Sequence, residues 1–192
     1  MKLRQKQSRC RTEREILTLM KNPNIVRCFG TFKTEKFLFF IMEFAAPYLS
    51  PVFPARFPPL SLSHRYCTGT ELYKLLKRVP NARFEEEEVK FYACQILIAL
   101  EHLHMMNYVY RDLKPDNILV QSIHDKGKHY EVKVADLGLA TQTPNDAPIF
   151  AKCGTPGYIA PEIFSNGGKG YSYKVDVFSG ASVFFNLLTG YY

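Results

Sequence analysis

The chain has 192 residues, 46% of them hydrophobic and 22% charged, a balance that fits one globular domain and excludes disorder, a collagen-like repeat and a coiled coil. Five scattered cysteines, Cys10, Cys28, Cys67, Cys94 and Cys153, never in a Cys-x-x-Cys pair, argue against a disulfide scaffold or structural zinc and for a reducing, intracellular, cytoplasmic setting. Of the net charge of +7, a balance of +6 lies in residues 1–27, but no aromatic precedes Phe29, so no nucleic-acid partner is expected; Glu43 interrupts the best apolar run, Phe37 to Met42, so no membrane span is expected either.

Residues 1–10 form a basic arm. From Arg11 to Met20, Ile16, Leu17, Leu19 and Met20 follow a charged start, and Asn22-Pro23-Asn24 stops the pattern, which predicts a helix. Ile25 to Phe32 and Lys36 to Phe44 are rich in β-branched and aromatic residues and predict an antiparallel strand pair. Ala45 to Tyr66 holds five of the twelve prolines, no glycine and no acidic residue, so no strand or helix is expected to run through it. Residues 70–79 predict a helix. Phe84 to Met105 predicts the clearest one, with Glu85 to Glu88 at its positive end and Ala93, Ile96, Leu97, Leu100 and Leu103 at helical spacing. Short strands are expected at Tyr108 to Tyr110, Ile118 to Gln121 and Val132 to Ala135. Tyr173 to Thr189, with Val175, Val177, Phe178, Val183, Leu187 and Leu188, predicts a buried helix.

The chemistry is concentrated in Tyr110-Arg111-Asp112-Leu113-Lys114-Pro115-Asp116-Asn117 and, beyond it, Asp136-Leu137-Gly138. A loop of this kind sets a carboxylate against a substrate hydroxyl, while an amide and a second carboxylate hold Mg²⁺ on the phosphates of a nucleotide. Phosphoryl transfer passes through a loose transition state, so a protein mainly positions reactants and neutralises charge. A third stretch, Cys153-Gly154-Thr155-Pro156-Gly157-Tyr158-Ile159-Ala160-Pro161-Glu162, closes on Ala-Pro-Glu.

These three motifs, in this order and spacing, resemble the eukaryotic protein kinase catalytic domain of serine/threonine type, over residues 11–192 with the proline-rich insert 45–66 excepted. The resemblance implies an α+β, protein-kinase-like fold: a partial N-lobe of helix C and two strands, and most of a helical C-lobe. It implies ATP and Mg²⁺ as cofactors and proteins as substrates, and says nothing of oligomeric state. Asp112 would be the catalytic base, Lys114 the lysine on the phosphates, Arg111 the residue orienting the loop, and Asn117 and Asp136 the Mg²⁺ ligands. Met42 would be the gatekeeper, Glu43 the hinge, and Leu119 the residue under the adenine. Glu13 would be the helix C glutamate, Thr155 and Glu162 parts of the activation-segment end, and Asp176 the carboxylate that anchors the catalytic loop. An isolated Asp on an apolar helix supports that last role, because burying an unpaired charge is costly.

The sequence also departs from the pattern. No glycine precedes Gly30, so no glycine-rich loop and no ATP-binding lysine strand stand before Glu13; Lys2 and Lys6 read as exposed basic residues. The later C-lobe helices that the resemblance implies are expected to be missing after Tyr192, and with them the arginine for Glu162. Tyr110 replaces the usual His, Leu137 the usual Phe, and Ala151 stands where many members carry a phosphorylated Thr; Thr141 and Thr143 are the remaining hydroxyls nearby. Joining Phe44 to Cys67 gives an ordinary hinge, and twelve of the fifteen residues from Leu49 to Ser63 are Phe, Pro, Leu or Ser. The expectation is a kinase domain incomplete at both ends, with a translated intron at 45–66 and weak catalysis at best. The alternative is a catalytically inactive kinase-like binding module.

Overall fold

The computed structural model describes residues 12–34, 38–43, 45–46, 67–122, 130–165 and 167–191. The basic arm, including Lys2 and Lys6, lies outside them. Helix α1 (12–19) buries Ile16 and Leu17, with Met20 just beyond its end, against the main core and leaves Leu19 exposed. The turn that stops it is strapped to the rest of the chain. Asn24 Nδ2 donates to the Val132 carbonyl at 2.9 Å and to Gln95 Oε1 at 3.1 Å, and the Val134 amide donates to the Asn24 carbonyl at 2.8 Å.

This strap corrects the first expected strand. Ile25 and Val26 are engaged with Val134, Val26 donating to its carbonyl at 3.0 Å, so their backbone groups are not available to the hairpin. The strand β1 therefore begins at Cys28 (Cys28–Lys33) and pairs antiparallel with β2 (Leu38–Met42). Phe32 and Phe39 face each other across the pair and stack at 4.5 Å, an aromatic cross-strand contact on an otherwise exposed face.

The second sheet has the order β3-β4-β6-β7, from Ala45–Ala46, Cys67–Glu71, Ile118–Ser122 and Tyr130–Val134. The pair β3–β4 is parallel, the others antiparallel. The segment 45–66 thus opens with two strand residues, against the expectation that none forms there; 47–66 lie outside the described residues. The expected helix at 70–79 is also shortened, to α2 (Leu72–Leu76), because Thr70 and Glu71 pair with Val120 and Leu119 of β6.

Helix α3 (Glu86–Met105) starts after Phe84, whose amide donates to the Leu187 carbonyl at 2.9 Å. The Glu85 amide donates to the Glu88 carboxylate at 3.2 Å, so the acidic run does act as a helix start. The buried stripe is Val89, Tyr92, Ile96, Ala99, Leu100 and Leu103, at i+3 and i+4 steps, and Leu97 falls off it at 46% exposure.

A short β5 (Tyr108–Val109) pairs with β8 (Thr141–Gln142), and α4 (Glu162–Ser165) precedes α5 (Lys174–Thr189). Only one face of α5 is buried, with Val175, Asp176, Ser179, Gly180, Val183, Asn186 and Leu187, whereas Val177, Phe178 and Leu188 are exposed. The expectation of a wholly buried helix is corrected to that extent. On its buried face α5 passes beneath Leu113, since a Cβ placed on Gly180 would lie 3.8 Å from Leu113 Cδ2, at ordinary contact distance, and the helix so lies under the loop that carries Asp112. Among the described residues, no helix is long and apolar enough to cross a membrane.

Candidate active site

The loop from Tyr110 to Asn117 hangs from a buried carboxylate. Asp176 is fully inaccessible; its Oδ1 accepts from the Arg111 amide at 2.7 Å, and its Oδ2 from the Tyr110 amide at 2.8 Å and from His104 Nε2 at 2.8 Å. A carboxylate only accepts, so His104 carries its proton on Nε2. Two consecutive amides on one carboxylate fix the peptide planes on either side of Tyr110, the second of which leads into Arg111, held in the left-handed region at φ +69°.

Beyond Arg111, four polar side chains converge. Asp112 is 9% exposed. Its Oδ1 accepts from Thr155 Oγ1 at 2.6 Å, and its Oδ2 accepts from Asn117 Nδ2 at 3.1 Å, the same amide nitrogen also donating to the Asp112 carbonyl at 3.0 Å. Lys114 Nζ donates to Thr155 Oγ1 at 3.0 Å and stands 3.4 Å from Asp112 Oδ2. The 3-10 turn Pro115–Asn117 and the strand β6 that follows return Asn117 to Asp112, five residues earlier. Both of Asp112's oxygens are thus held by donors from two separate segments, and the Asn117 side chain spends its nitrogen on Asp112, while its oxygen can face a cation as a ligand.

Asp136 follows β7 and is exposed, at φ +53°, with Oδ1 accepting from the Gly138 amide at 3.2 Å. Tyr110, where the resemblance expects His, reaches the same segment from the loop 110–117: its hydroxyl donates to the Ala135 carbonyl at 2.5 Å, and burial holds its pKa well above the ordinary value. Leu137 is buried in the main core, so its replacement of Phe leaves no exposed apolar residue there.

Glu13 lies beside this segment. A Cβ placed on Gly138 would lie 3.1 Å from Asp136 Oδ1 and 3.8 Å from Glu13 Oε2. Partial burial, and secondarily the charge of Asp136, raise the Glu13 pKa above its ordinary 4.5. A carboxyl with a raised folded pKa binds its proton more tightly when folded, so Glu13 favours the fold at pH below 4.5 and opposes it as pH rises through the raised value. In metal-free buffer Glu13→Gln should therefore raise Tm over the unsubstituted protein at neutral pH, with the gain vanishing at about pH 4. Thermal unfolding at the two pH values checks this, and an equal gain at both contradicts it.

Where the resemblance expects the hinge, Met42 is partly buried against the main core, and the Glu43 amide donates to the Arg27 carbonyl at 2.7 Å. Lys133 of β7, 8% exposed, donates to the Pro23 carbonyl at 2.7 Å and pairs with the Glu43 carboxylate at 3.4 Å. Leu119 sits partly buried in β6, opposite Glu71 and Lys133. Glu162 opens α4 and has no ion-pair partner among the described residues. Thr143 is buried and bonded to the Asn107 carbonyl, which removes it as an accessible modification site. Three participants were not singled out from the sequence for these roles: His104, Lys133, and Tyr171, whose hydroxyl accepts from Arg111. Each meets its partner across tens of residues, and nothing local marks them.

The protein kinase domain family matches residues 56–192. The cAMP-dependent protein kinase catalytic subunit of Arthrobotrys oligospora is 34% identical over 179 residues, 93% of this chain and 28% of that protein. The cAMP-dependent protein kinase type 3 of Saccharomyces cerevisiae is 35% identical over 179 residues, 93% of this chain and 36% of that one. A RAC family serine/threonine-protein kinase homolog of Dictyostelium discoideum is 33% identical over 182 residues, 93% of this chain and 34% of its own length. The chain thus spans about a third of the length of these relatives. With the matched region running through the Asp112 loop, Asp136 and the Ala-Pro-Glu end, the chain belongs to the eukaryotic protein kinase family.

Proposed function

We propose that the protein transfers the γ-phosphoryl group of ATP to serine or threonine hydroxyls of protein substrates, the activity that the names of its relatives carry. The observation that supports this most is the Asp112 carboxylate, fixed by Thr155 on one oxygen and Asn117 on the other with the Lys114 ammonium 3.4 Å away. Held this way, Asp112 accepts the proton of an incoming hydroxyl, and Lys114 stands where it can offset negative charge that develops on the transferred group. Thr155 ties the activation-segment end to the base, so the surface that seats the substrate is fixed to the group that activates it.

Asn117 and Asp136 fit a magnesium ion. Mg²⁺ is bound by one or two oxygen side chains together with substrate phosphates, not by an all-protein cage. No cluster of three or more His, Cys, Asp or Glu side chains is formed among the described residues, whereas one amide oxygen and one exposed carboxylate are present. When bound, the ion would neutralise phosphate charge.

A second reading, a kinase-like binding module without catalysis, is favoured by one observation: Glu13 lies against Asp136, and neither has an ion-pair partner among the described residues. Transfer of labelled phosphate from ATP to a generic basic protein separates the two readings. Magnesium-dependent transfer that falls at least a hundredfold in Asp136→Ala is expected of the kinase. Equal signal from both proteins, or none from either, removes the enzyme reading.

A further inference from the structure

The side chain of Arg111 points away from the Asp112 cluster in its bonding. Nε donates to the Leu139 carbonyl at 2.8 Å, and Nη1 donates to the Tyr171 hydroxyl at 3.2 Å. That hydroxyl in turn donates to the carbonyl of Ala151, four residues before Thr155. Tyr171 is 5% exposed, so this relay is shielded from water. The backbone of Tyr171 is joined to the same segment: its amide donates to the Ile149 carbonyl at 2.9 Å, and its carbonyl accepts from the Ile149 amide at 2.8 Å. Gly170 makes that approach possible. At φ +75° a side chain there would be strained, and a Cβ would lie 2.8 Å from Pro148 Cβ and 3.0 Å from the Ile149 carbonyl.

One continuous chain of bonds therefore runs from Asp176 through Arg111 and Tyr171 to Ala151, and from there the backbone leads within four residues to the Thr155 that holds Asp112. We propose that Tyr171 is the positioning residue that latches the segment 149–155 onto the catalytic loop, so that Thr155 is held on Asp112 by a neutral hydroxyl and without any phosphate on the segment. The hydroxyl suits this place because it both accepts from a cation and donates to a carbonyl, which phenylalanine does not and a carboxylate or phosphate does only in part. Ala151 contributes through its carbonyl alone, so the absence of a hydroxyl at that position costs the latch nothing.

The test is hydrogen exchange on the whole 192-residue chain and its Tyr171→Phe variant. Amides of 150–155 should exchange about fivefold faster in Tyr171→Phe, while those of α3 keep their protection. Unchanged exchange at 150–155, or loosening of α3 to the same degree, overturns the proposal, since the second result assigns Tyr171 to the fold at large. Phosphatase treatment of the unsubstituted protein needs no variant: protection of 150–155 should be the same before and after, and its loss on treatment overturns the latch. The rate readout rests on the kinase reading above. There Tyr171→Phe should raise the peptide KM about fivefold and leave the ATP KM in place, whereas an equal rise in both points to general damage and counts against the latch. Absence of transfer by the unsubstituted protein would count against the kinase reading, and the exchange result would still decide the latch.

Discussion

Asp176→Ala should lower the stability of the protein by about 4 kcal/mol, a large part of the roughly 5–15 kcal/mol of an ordinary domain. The carboxylate is fully inaccessible and accepts from two backbone amides and from His104. With it gone, the Tyr110 and Arg111 amides are buried without an acceptor, and unsatisfied buried donors cost about 1–3 kcal/mol each. For a chain of this size the loss corresponds to a fall in Tm of about 8–16 °C, read by thermal unfolding. Asp176→Asn keeps one acceptor oxygen and can satisfy one side of the pair, so about half of that fall is expected. An Asp176→Ala protein with unchanged Tm would mean that the loop does not hang from α5.

Asp112→Asn should lower phosphoryl transfer about 10²- to 10⁴-fold and leave the fold in place. The amide has nearly the shape of the carboxylate, and its oxygen still accepts from Thr155, but it takes up no proton. What distinguishes this from loss of structure is the companion Thr155→Ala. That change removes the 2.6 Å bond to Asp112 and the 3.0 Å bond from Lys114, leaves the carboxylate itself, and should cost about tenfold. Rates under saturating ATP, with thermal unfolding of each variant alongside, give the comparison. If Thr155→Ala is as damaging as Asp112→Asn, the carboxylate is not the group that acts on the proton.

Much of this site is legible in the sequence because its members are close together there. Asp112, Lys114 and Asn117 fall within six residues, and the turn through Pro115 brings Asn117 back onto Asp112 by local geometry. Asp176 is legible for another reason, a charge on an apolar helix that must find partners. Its partner His104 is not, since either His102 or His104 in the last turn of α3 reads as easily as a cap, and the approach to Asp176 depends on how α3 and α5 pack. Lys133 reads as an alternating outward residue of β7, yet its long stem carries the ammonium to Pro23 and Glu43 while the rest of the side chain is buried. The periodicity of α5 misleads because apolar residues surround it nearly completely, so sequence does not say which face is covered. The strand β1 begins late for a similar reason: Ile25 and Val26 have strand propensity, and β7 engages them before the hairpin can.

The separation of Glu13 from any described cation has no counterpart in these local rules, and it bears most directly on whether the family's chemistry is carried out here. The most direct measurement is mass spectrometry of a peptide offering serine, threonine and tyrosine hydroxyls, incubated with the protein, ATP and magnesium. Phosphate on serine or threonine, absent when Asp112→Asn replaces the unsubstituted protein, is the predicted result. Phosphate on tyrosine alone, or a peptide left unmodified by the unsubstituted protein, contradicts it.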